Sequence, residues 1–313
     1  MSFAYEAKKE LCSQTSIEYS KIRAEYYGML LFCRKFSDKK IVFATENKYV
    51  ANRFINFSNT LYSAIIEKRT SLKARSDACA LKTLEFVDPE QCAQIFSDMG
   101  HGAEQPSLRI NRANFESFED ISAFVRGAFL SCGSVTDPEK NYHLEFCVSR
   151  KNLCGDFCKL LSEIDEFMVR PKVVNRNGAY VIYIKDSEEI TDMLTYMGAS
   201  VCAMEIMGTK AIKQVRNNVN RIANSELANL SKIANASAKQ LNAIRIISAH
   251  GGLESLPDEL SEVAKLRVLY PEMSLRDIGA ALTVPISRSG VNHRMEKIIS
   301  IAESLNKTGD KNA

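Results

Sequence analysis

Apolar residues along the first part of the chain alternate between the spacing of a helix and the spacing of a strand. Between residues 47 and 65 they recur every three or four positions, which predicts an amphipathic helix. β-Branched and aromatic residues predict a strand before it, at 39–45, and two more strands after it, around 71–75 and 80–87. Asp88 then provides the N-cap of a further helix, with a proline at the first helical position.

The same order of elements recurs later in the chain. A strand is predicted at 142–149 and an amphipathic helix at 151–164. Two strands then flank the sequence Asn-Arg-Asn-Gly at 175–178, which is a favourable hairpin turn, and an acidic helix at 186–198 ends in glycine. Each copy therefore consists of helix, hairpin, helix, hairpin and helix, which indicates an α+β fold built by duplication.

Each copy opens with a helix that carries a glycine in its middle. Gly28 is followed three residues later by leucine and five residues later by Cys33, and Gly127 is followed in the same way by leucine and Cys132. A glycine inside a helix costs about 1 kcal/mol relative to alanine. Its presence at the same place in both copies predicts that the two helices cross with their backbones in close contact at Gly28 and Gly127.

A change of composition marks the stretch from Lys210 to Arg245. It contains seven Lys or Arg residues and one acidic residue, Glu226, with asparagines between them. Lysine and arginine neutralise phosphates, and asparagine hydrogen-bonds to phosphates or base edges, so one interpretation is a DNA-contacting helix. The other interpretation is a solvated linker helix whose asparagines bond to a neighbouring domain. The candidate DNA contacts of this stretch are Lys213, Arg216, Asn217, Asn220 and Arg221.

The C-terminal stretch has the pattern of a helix-turn-helix. Ser274 is placed to cap a short helix, with Asp277 three residues on as in a capping box, and Gly279 permits close packing inside the motif. A turn at 283–287 separates this helix from a second one, which is predicted to begin near Ser289. The exposed start of such a recognition helix normally enters the major groove. The residues predicted to contact DNA there are Arg288, Ser289, Asn292, His293, Arg294 and Lys297.

The side chains of this recognition helix suit different roles. Arginine prefers guanine and asparagine prefers adenine, so Arg288, Asn292 and Arg294 are the candidates for reading bases. Lys297 is better placed for the phosphate backbone. For His293 the pattern leaves a phosphate contact, a base contact and a cap on a neighbouring turn open.

Bulk composition limits the classes of protein to which the chain belongs. The 313 residues carry a net charge of only +3, so a nucleic-acid surface has to be local. The nine cysteines, the lack of a signal-peptide pattern and the lack of an apolar run of about 18–20 residues favour a cytoplasmic protein with reduced thiols and no membrane contact. Cys154 and Cys158 share a helix face without further soft ligands nearby, which favours core packing over a zinc site.

Long stretches of the sequence resemble one family of bacterial proteins. The segments at 126–146, 215–232 and 252–280 are similar to WhiA, and the likeness extends from Ser2 to about Leu305. The paired glycine helices resemble the central helices of the LAGLIDADG homing-endonuclease fold. The resemblance implies a DNA-binding regulator of sporulation and cell division, with a degenerate endonuclease-like domain followed by a helix-turn-helix domain.

The resemblance also bears on catalysis. In active endonucleases of this fold, an acidic residue at the lower end of each central helix binds a divalent metal. Here Cys33 and Cys132 lie at or beside those positions, and a thiol is a poor ligand for Mg²⁺. Asp137 and Glu139, just beyond the second helix, belong to a sequence that favours a turn over a metal site. The resemblance therefore implies no catalysis, no metal and no cofactor, and it leaves open whether Cys33 and Cys132 pack in the core or form a disulfide on oxidation.

The predicted organisation has five parts. They are an N-terminal helix at 1–20, a duplicated LAGLIDADG-like α/β domain at 21–204 with repeats at about 21–99 and 119–198, a basic linker helix at 205–226, an all-α helix-turn-helix domain at 227–306 and a flexible tail at 307–313. The predicted partner is double-stranded DNA in the cytoplasm, at the nucleoid, and protein partners in transcription or division control are left open. The alternatives are a protein- or ligand-sensing platform with secondary DNA binding and, least favoured, an active DNA endonuclease.

Overall fold

A computed structural model describes residues 2–15, 18–71, 80–102 and 107–309 of the chain. The chain divides into two compact units, Met1–Gln214 and Val215–Ala313. The first unit contains two repeats of helix, hairpin, helix, hairpin and helix, and the second contains the helix-turn-helix. The predicted α+β duplication followed by an all-α region is confirmed.

The elements of the first unit follow the predicted order. After helix α1 (Phe3–Ser13), the first repeat consists of α2 (Tyr19–Leu31), β1 (Lys35–Phe36), β2 (Ile41–Thr45), α3 (Lys48–Tyr62), β3 (Ile66–Thr70), β4 (Lys82–Phe86) and α4 (Pro89–Asp98). After a 3₁₀ turn at Arg112–Asn114, the second repeat consists of α5 (Phe118–Cys132), β5 (Gly133–Val135), β6 (Leu144–Val148), α6 (Lys151–Ser162), β7 (Lys172–Arg176), β8 (Ala179–Ile184) and α7 (Ser187–Met197). Helix α8 (Ser200–Gly251) continues into the second unit.

The four strands of each repeat form one antiparallel sheet, and the strand order is the same in both sheets. The orders are β1-β2-β4-β3 and β5-β6-β8-β7. The predicted turn between β7 and β8 is present, with Asn177 and Gly178 at positive φ as a two-residue hairpin requires. The strand predicted around 71–75 lies, apart from Ser71, outside the described residues. The described strand is β3, which begins soon after Ser63 ends α3 in a left-handed conformation.

The glycine helices α2 and α5 cross in the middle of the first unit, as predicted. A Cβ atom on Gly28 would lie 2.3 Å from the carbonyl oxygen of Phe124, and one on Gly127 would lie 2.0 Å from the carbonyl oxygen of Glu25. Cβ atoms essentially never approach other atoms within 3.0 Å, so neither position has room for a side chain. The crossing therefore requires glycine, which has no side chain, at both positions.

A buried charged cluster lies beside this crossing. Glu25 of α2 is fully buried, and its carboxylate accepts hydrogen bonds from Arg53 of α3 (Nε at 2.5 Å, Nη2 at 2.8 Å) and from Arg126 of α5 (Nε at 2.9 Å). Arg53 also donates to the carbonyl oxygen of Gln14 after α1, and Arg126 donates to that of Met197 at the end of α7. One carboxylate thus connects α2, α3 and α5 and, through the arginines, the ends of α1 and α7.

The second unit packs the last part of α8 against three helices, α9 (Asp258–Leu269), α10 (Leu275–Ala281) and α11 (Arg288–Gly309). A 3₁₀ turn at Leu253–Ser255 joins α8 to α9. Since α11 continues to Gly309, the predicted tail begins as helix, and residues 310–313 lie outside the described part of the chain. The buried core of this unit includes Ile244, Ile247, Val263, Ala264, Ile278, Val291, Met295, Ile298 and Ala302.

Helix α8 extends well beyond the predicted linker helix at 205–226, into the region predicted as the helix-turn-helix domain. It runs without a break to Gly251 and ends where Gly252 takes a φ of 76°, a conformation that favours glycine. Every residue from 214 to 236 is exposed, including the apolar Val219 and Ile222. In this stretch the helix is stabilised by its own backbone hydrogen bonds and not by packing against other elements.

Candidate nucleic-acid interface

Hydrogen bonds and a close backbone contact fix the geometry of the helix-turn-helix. The hydroxyl of Ser274 accepts from the amide of Asp277 at 3.2 Å and donates to its carboxylate at 2.7 Å, which confirms the predicted cap of α10. A Cβ on Gly279 would lie 2.4 Å from the carbonyl oxygen of Ile286, whose amide donates to the Gly279 carbonyl at 3.0 Å. The predicted turn is therefore held directly against α10, and α11 begins immediately after it.

Helix α11 presents one apolar and one polar face. Val291, Met295 and Ile298 are buried against α9 and α10, as predicted from their spacing. The predicted DNA contacts Arg288, Ser289, Asn292, His293 and Lys297 are exposed. The polar face at the start of the helix is thus available to a partner.

Two of the predicted contacts are already bonded within the unit. Arg294 places Nη2 3.1 Å from a carboxylate oxygen of Glu259 on α9, and only 20% of its side chain is exposed. The amide nitrogen of Asn292 donates to Glu296 at 2.8 Å, which orients the amide and leaves its oxygen free to accept. Among the described residues, no hydrogen bond or ion pair engages the side chains of Arg288, His293 and Lys297.

The basic stretch of α8 is also divided between bonded and free side chains. Lys213 donates to the carbonyl oxygens of Pro138 (2.5 Å) and Glu139 (2.9 Å), and its Nζ lies 5.3 Å from the centre of the Tyr142 ring. Lys213 therefore anchors the start of α8 to the turn that follows β5. Arg216, Asn217, Asn220 and Arg221 are exposed, and no hydrogen bond or ion pair holds them in the part of the chain that the structure describes.

The lower ends of the central helices carry thiols. Burial raises the pKa of both Cys33 and Cys132 to about 12, and the thiol of Cys33 donates to the carbonyl oxygen of Lys35 at 3.0 Å. Lys8 lies beside Cys132, donates to the carbonyl oxygen of Leu130 at 3.1 Å, and has its pKa lowered by burial to about 8. Protonated thiols beside an amine do not fit Mg²⁺, which prefers anionic oxygen ligands. Both cysteines are free thiols in the structure.

The acidic residues near the second central helix form a turn, as predicted. The amides of Lys140 and Asn141 donate to the carbonyl oxygen of Asp137, and the amide of Glu139 donates to its carboxylate at 2.9 Å. Within the described ranges, no group of three or more His, Cys, Asp or Glu side chains is arranged to hold a metal.

A cleft beside the start of α11 was not predicted from the sequence. Its basic side chains, Lys232, Arg267, Arg276 and Arg288, come from α8, α9, α10 and α11. No sequence pattern links residues on four separate elements, and of these four side chains only Arg288 is among the predicted DNA contacts. Asn292, which also lines the cleft, is another predicted DNA contact.

The fold and the helix-turn-helix define a class of protein in which a duplicated LAGLIDADG-like domain, with thiols at the ends of its central helices, precedes a helix-turn-helix. Across the described helices, none is both long and apolar enough to cross a membrane. The comparisons with known proteins agree with this class.

Two family models match the chain. The WhiA LAGLIDADG-like domain matches residues 121–216, and the WhiA C-terminal HTH domain matches residues 219–302. The probable cell division protein WhiA of Clostridium perfringens (strain SM101 / Type A) is 35% identical over 320 residues, covering 99% of this chain and 100% of that protein. That of Clostridium botulinum (strain Hall) is 34% identical, covering 97% and 99%. The crystal structure of full-length DUF199/WhiA from Thermatoga maritima superposes with a TM-score of 0.60 at 26% identity, covering 97% and 99%. The chain belongs to the WhiA family.

Proposed function

We propose that the protein is a sequence-specific DNA-binding regulator of transcription that does not cleave DNA. The observation that carries the proposal is the start of α11, where Arg288, Ser289, Asn292 and His293 are exposed on a packed helical core. In helix-turn-helix proteins this end of the recognition helix enters the major groove. The names of the relatives, probable cell division proteins, support a role in cell division. The family resemblance extends that role to sporulation and favours action at the nucleoid in the cytoplasm.

Each exposed side chain of α11 has a role in this proposal. Arg288 donates to guanine, and Asn292, oriented by Glu296, accepts from and donates to adenine. The phosphate backbone or neighbouring base edges are contacted by Ser289, His293 and Lys297. Arg294 acts through its ion pair with Glu259, which holds the recognition helix against α9.

The exposed basic side chains of α8 supply affinity that does not depend on sequence. Arg216 and Arg221 neutralise phosphates, and Asn217 and Asn220 hydrogen-bond to the same backbone. Lys213 contributes by attaching α8 to the turn after β5 rather than by contacting DNA.

The LAGLIDADG-like domain has no catalytic role in this proposal. The chemistry of Cys33, Cys132 and Lys8 supports this view, because none of the three supplies the anionic oxygen that a hydrolytic metal needs. The experiment that tests the whole proposal is selection of genomic fragments by the full chain in Mg²⁺ at physiological salt. Enrichment of a short motif on uncut fragments supports it, whereas cut fragments would reinstate the endonuclease alternative.

We expect Arg288→Ala and Asn292→Ala each to weaken binding to the selected motif by about 1–3 kcal/mol and to relax specificity at one base pair. The reason is that each change removes one pair of base-edge hydrogen bonds. Lys265→Ala, which removes an exposed positive charge from α9, is the matched control. Affinities are measured by fluorescence anisotropy on the motif and on every single-base variant. Equal losses in all three variants would mean that α11 reads no bases.

Salt dependence separates the two interpretations of the basic stretch of α8. The double variant Arg216→Ala/Arg221→Ala is expected to reduce the slope of log K against log salt by about 1.8, because each phosphate contact contributes about 0.9. Lys213→Ala is expected to leave the slope unchanged, since its ammonium group is already bonded to Pro138 and Glu139. Anisotropy titrations over a series of salt concentrations give the slopes. An unchanged slope in the double variant would identify this stretch as a linker.

A further inference from the structure

The cleft beside the start of α11 has the size and charge of a site for a small anion. Its volume is about 480 Å³, within the range of small-ligand sites. It lies wholly in the second unit. Four positively charged side chains line it, namely Lys232, Arg267, Arg276 and Arg288, and its lining residues, all of them described, include no acid.

Two of the lining side chains are buried and incompletely bonded. Arg267 is 3% exposed, and its Nη1 donates to the carbonyl oxygens of Pro271 (3.2 Å) and Met273 (2.7 Å), whereas its Nε has no partner. No acid pairs with this guanidinium among the described residues. Gln240 is 5% exposed, and its side-chain oxygen also has no partner. Buried polar groups of native proteins are nearly always satisfied, so a donor and an acceptor without partners beside one cleft point to a ligand that supplies both once the two side chains turn toward it.

Part of the cleft wall is apolar, although Ser237, Ser274 and Asn292 also line it. Ile233 and Ala236 of α8 face the same space as Met273 and Leu275 at the start of α10. A ligand therefore needs an apolar body as well as polar atoms. Lys232 and Arg276 are exposed, so a strongly charged group of the ligand remains partly solvated beside them.

We propose that this cleft binds a small phosphorylated molecule with a flat, hydrogen-bonding heterocycle, of which a nucleoside monophosphate is the simplest example. The phosphate lies beside Lys232 and Arg276, and the heterocycle lies between the apolar walls. After Gln240 and Arg267 turn toward the cleft, a ring N–H donates to the oxygen of Gln240, and a ring acceptor receives the bond from Arg267. The backbone phosphates of a DNA duplex offer the same charge, but they stay at the exposed rim and cannot fill an apolar cleft with buried polar groups.

Such a ligand would regulate DNA binding, and this part of the inference rests on the proposed function. Arg288 and Asn292 line the cleft and are also the principal candidates for reading bases. A ligand that fills the cleft lies against both side chains and limits the conformations in which they reach a base edge. Occupation of the cleft therefore lowers the affinity for DNA.

Calorimetric titration of the full chain, without DNA, tests the site directly. The probes are the four common ribonucleoside 5′-monophosphates, the corresponding nucleosides and inorganic phosphate. We expect at least one monophosphate to bind, with its nucleoside and inorganic phosphate each at least about tenfold weaker, because each lacks one half of the contacts.

The variants Gln240→Leu and Arg276→Ala identify the site. Each is expected to weaken binding at least about tenfold, because each removes one polar partner of the ligand. Gln240→Leu should not lower the melting temperature, since it also removes an unpaired buried acceptor. Lys265→Ala, outside the cleft, should bind as the unaltered chain does. Absence of binding by every monophosphate, or binding that survives both variants, would overturn the proposal.

Competition on the selected DNA motif then tests the regulation. The bound nucleotide is expected to weaken DNA binding by the unaltered chain and to have no effect on Gln240→Leu. If the nucleotide binds without changing the affinity for DNA, the proposed regulation is wrong, whereas the proposed binding site is still supported. If the chain selects no DNA at all, the proposed function is wrong, and calorimetry alone decides whether the site exists.

Discussion

Gly127→Ala is expected to lower the free energy of unfolding of the first unit by more than about 3 kcal/mol. The added methyl group would lie 2.0 Å from the carbonyl oxygen and 2.9 Å from the carbonyl carbon of Glu25. Both atoms belong to the backbone of a buried helix, so no side-chain rotation relieves the clash. Helices α2 and α5 would have to separate, and the packing of the aromatic residues around them would loosen.

Gly155→Ala is the matched control for this change. Gly155 also lies in a helix, α6, but a Cβ there would meet no atom within 4 Å. Alanine at that position is expected to stabilise the helix by up to about 1 kcal/mol. Denaturant unfolding is followed by near-ultraviolet circular dichroism, to which the buried Tyr26 and Tyr27 contribute. Equal stability of the two variants would show that α2 and α5 do not touch at Gly127.

Glu25→Gln is the second change with a large expected effect. It removes the buried negative charge that two guanidinium groups, 10% and 12% exposed, share. Breaking a buried ion pair in this way costs about 3–5 kcal/mol. The amide of glutamine also places a donor where Arg53 and Arg126 both need an acceptor. We therefore expect a much lower midpoint of denaturant unfolding for the first unit, with the DNA affinity of the remaining folded protein unchanged.

Glu67→Gln provides the comparison for Glu25→Gln. Glu67 also accepts from an arginine, Arg69 at 2.9 Å, but their side chains are 50% and 66% exposed. Surface pairs of this kind contribute little to stability, so the midpoint should hardly move. Similar shifts of the unfolding midpoint in the two variants would mean that the cluster around Glu25 is solvated and contributes no more to stability than a surface ion pair.

Most of the fold could be predicted because its signals are local in sequence. The hairpin at Asn177 and Gly178, the cap at Ser274 and the crossing at Gly28 and Gly127 each follow from a few neighbouring residues or from their repetition. Strand β3 gave no such signal, because its sequence Ile-Glu-Lys-Arg-Thr is polar and exposed at the edge of a sheet. The continuity of α8 was missed although no glycine or proline interrupts it between Gly208 and Gly251.

The site was only partly predictable, because residues distant in sequence decide which side chains are free. Lys213 was selected for its charge, and its bonds to Pro138 and Glu139 appear only in the folded unit. Arg294 has the right helical phase for a base contact, but Glu259 of another helix holds it. Charge and periodicity thus identify the exposed candidates, whereas the pairing among them is a property of the tertiary structure.

The charged cluster around Glu25 also shows how far the two repeats have departed from symmetry. The offset of 99 residues between Gly28 and Gly127 makes Phe124 the counterpart of Glu25 and Tyr27 the counterpart of Arg126. A homodimer of the first repeat would therefore place two copies of Glu25 near its axis, each without the second arginine. In the single chain, one carboxylate, Glu25, lies beside the helix crossing. One of its arginines, Arg53, comes from the first repeat and the other, Arg126, from the second. Neither repeat carries the complete cluster, so only the fused chain gives a single buried carboxylate two guanidinium partners.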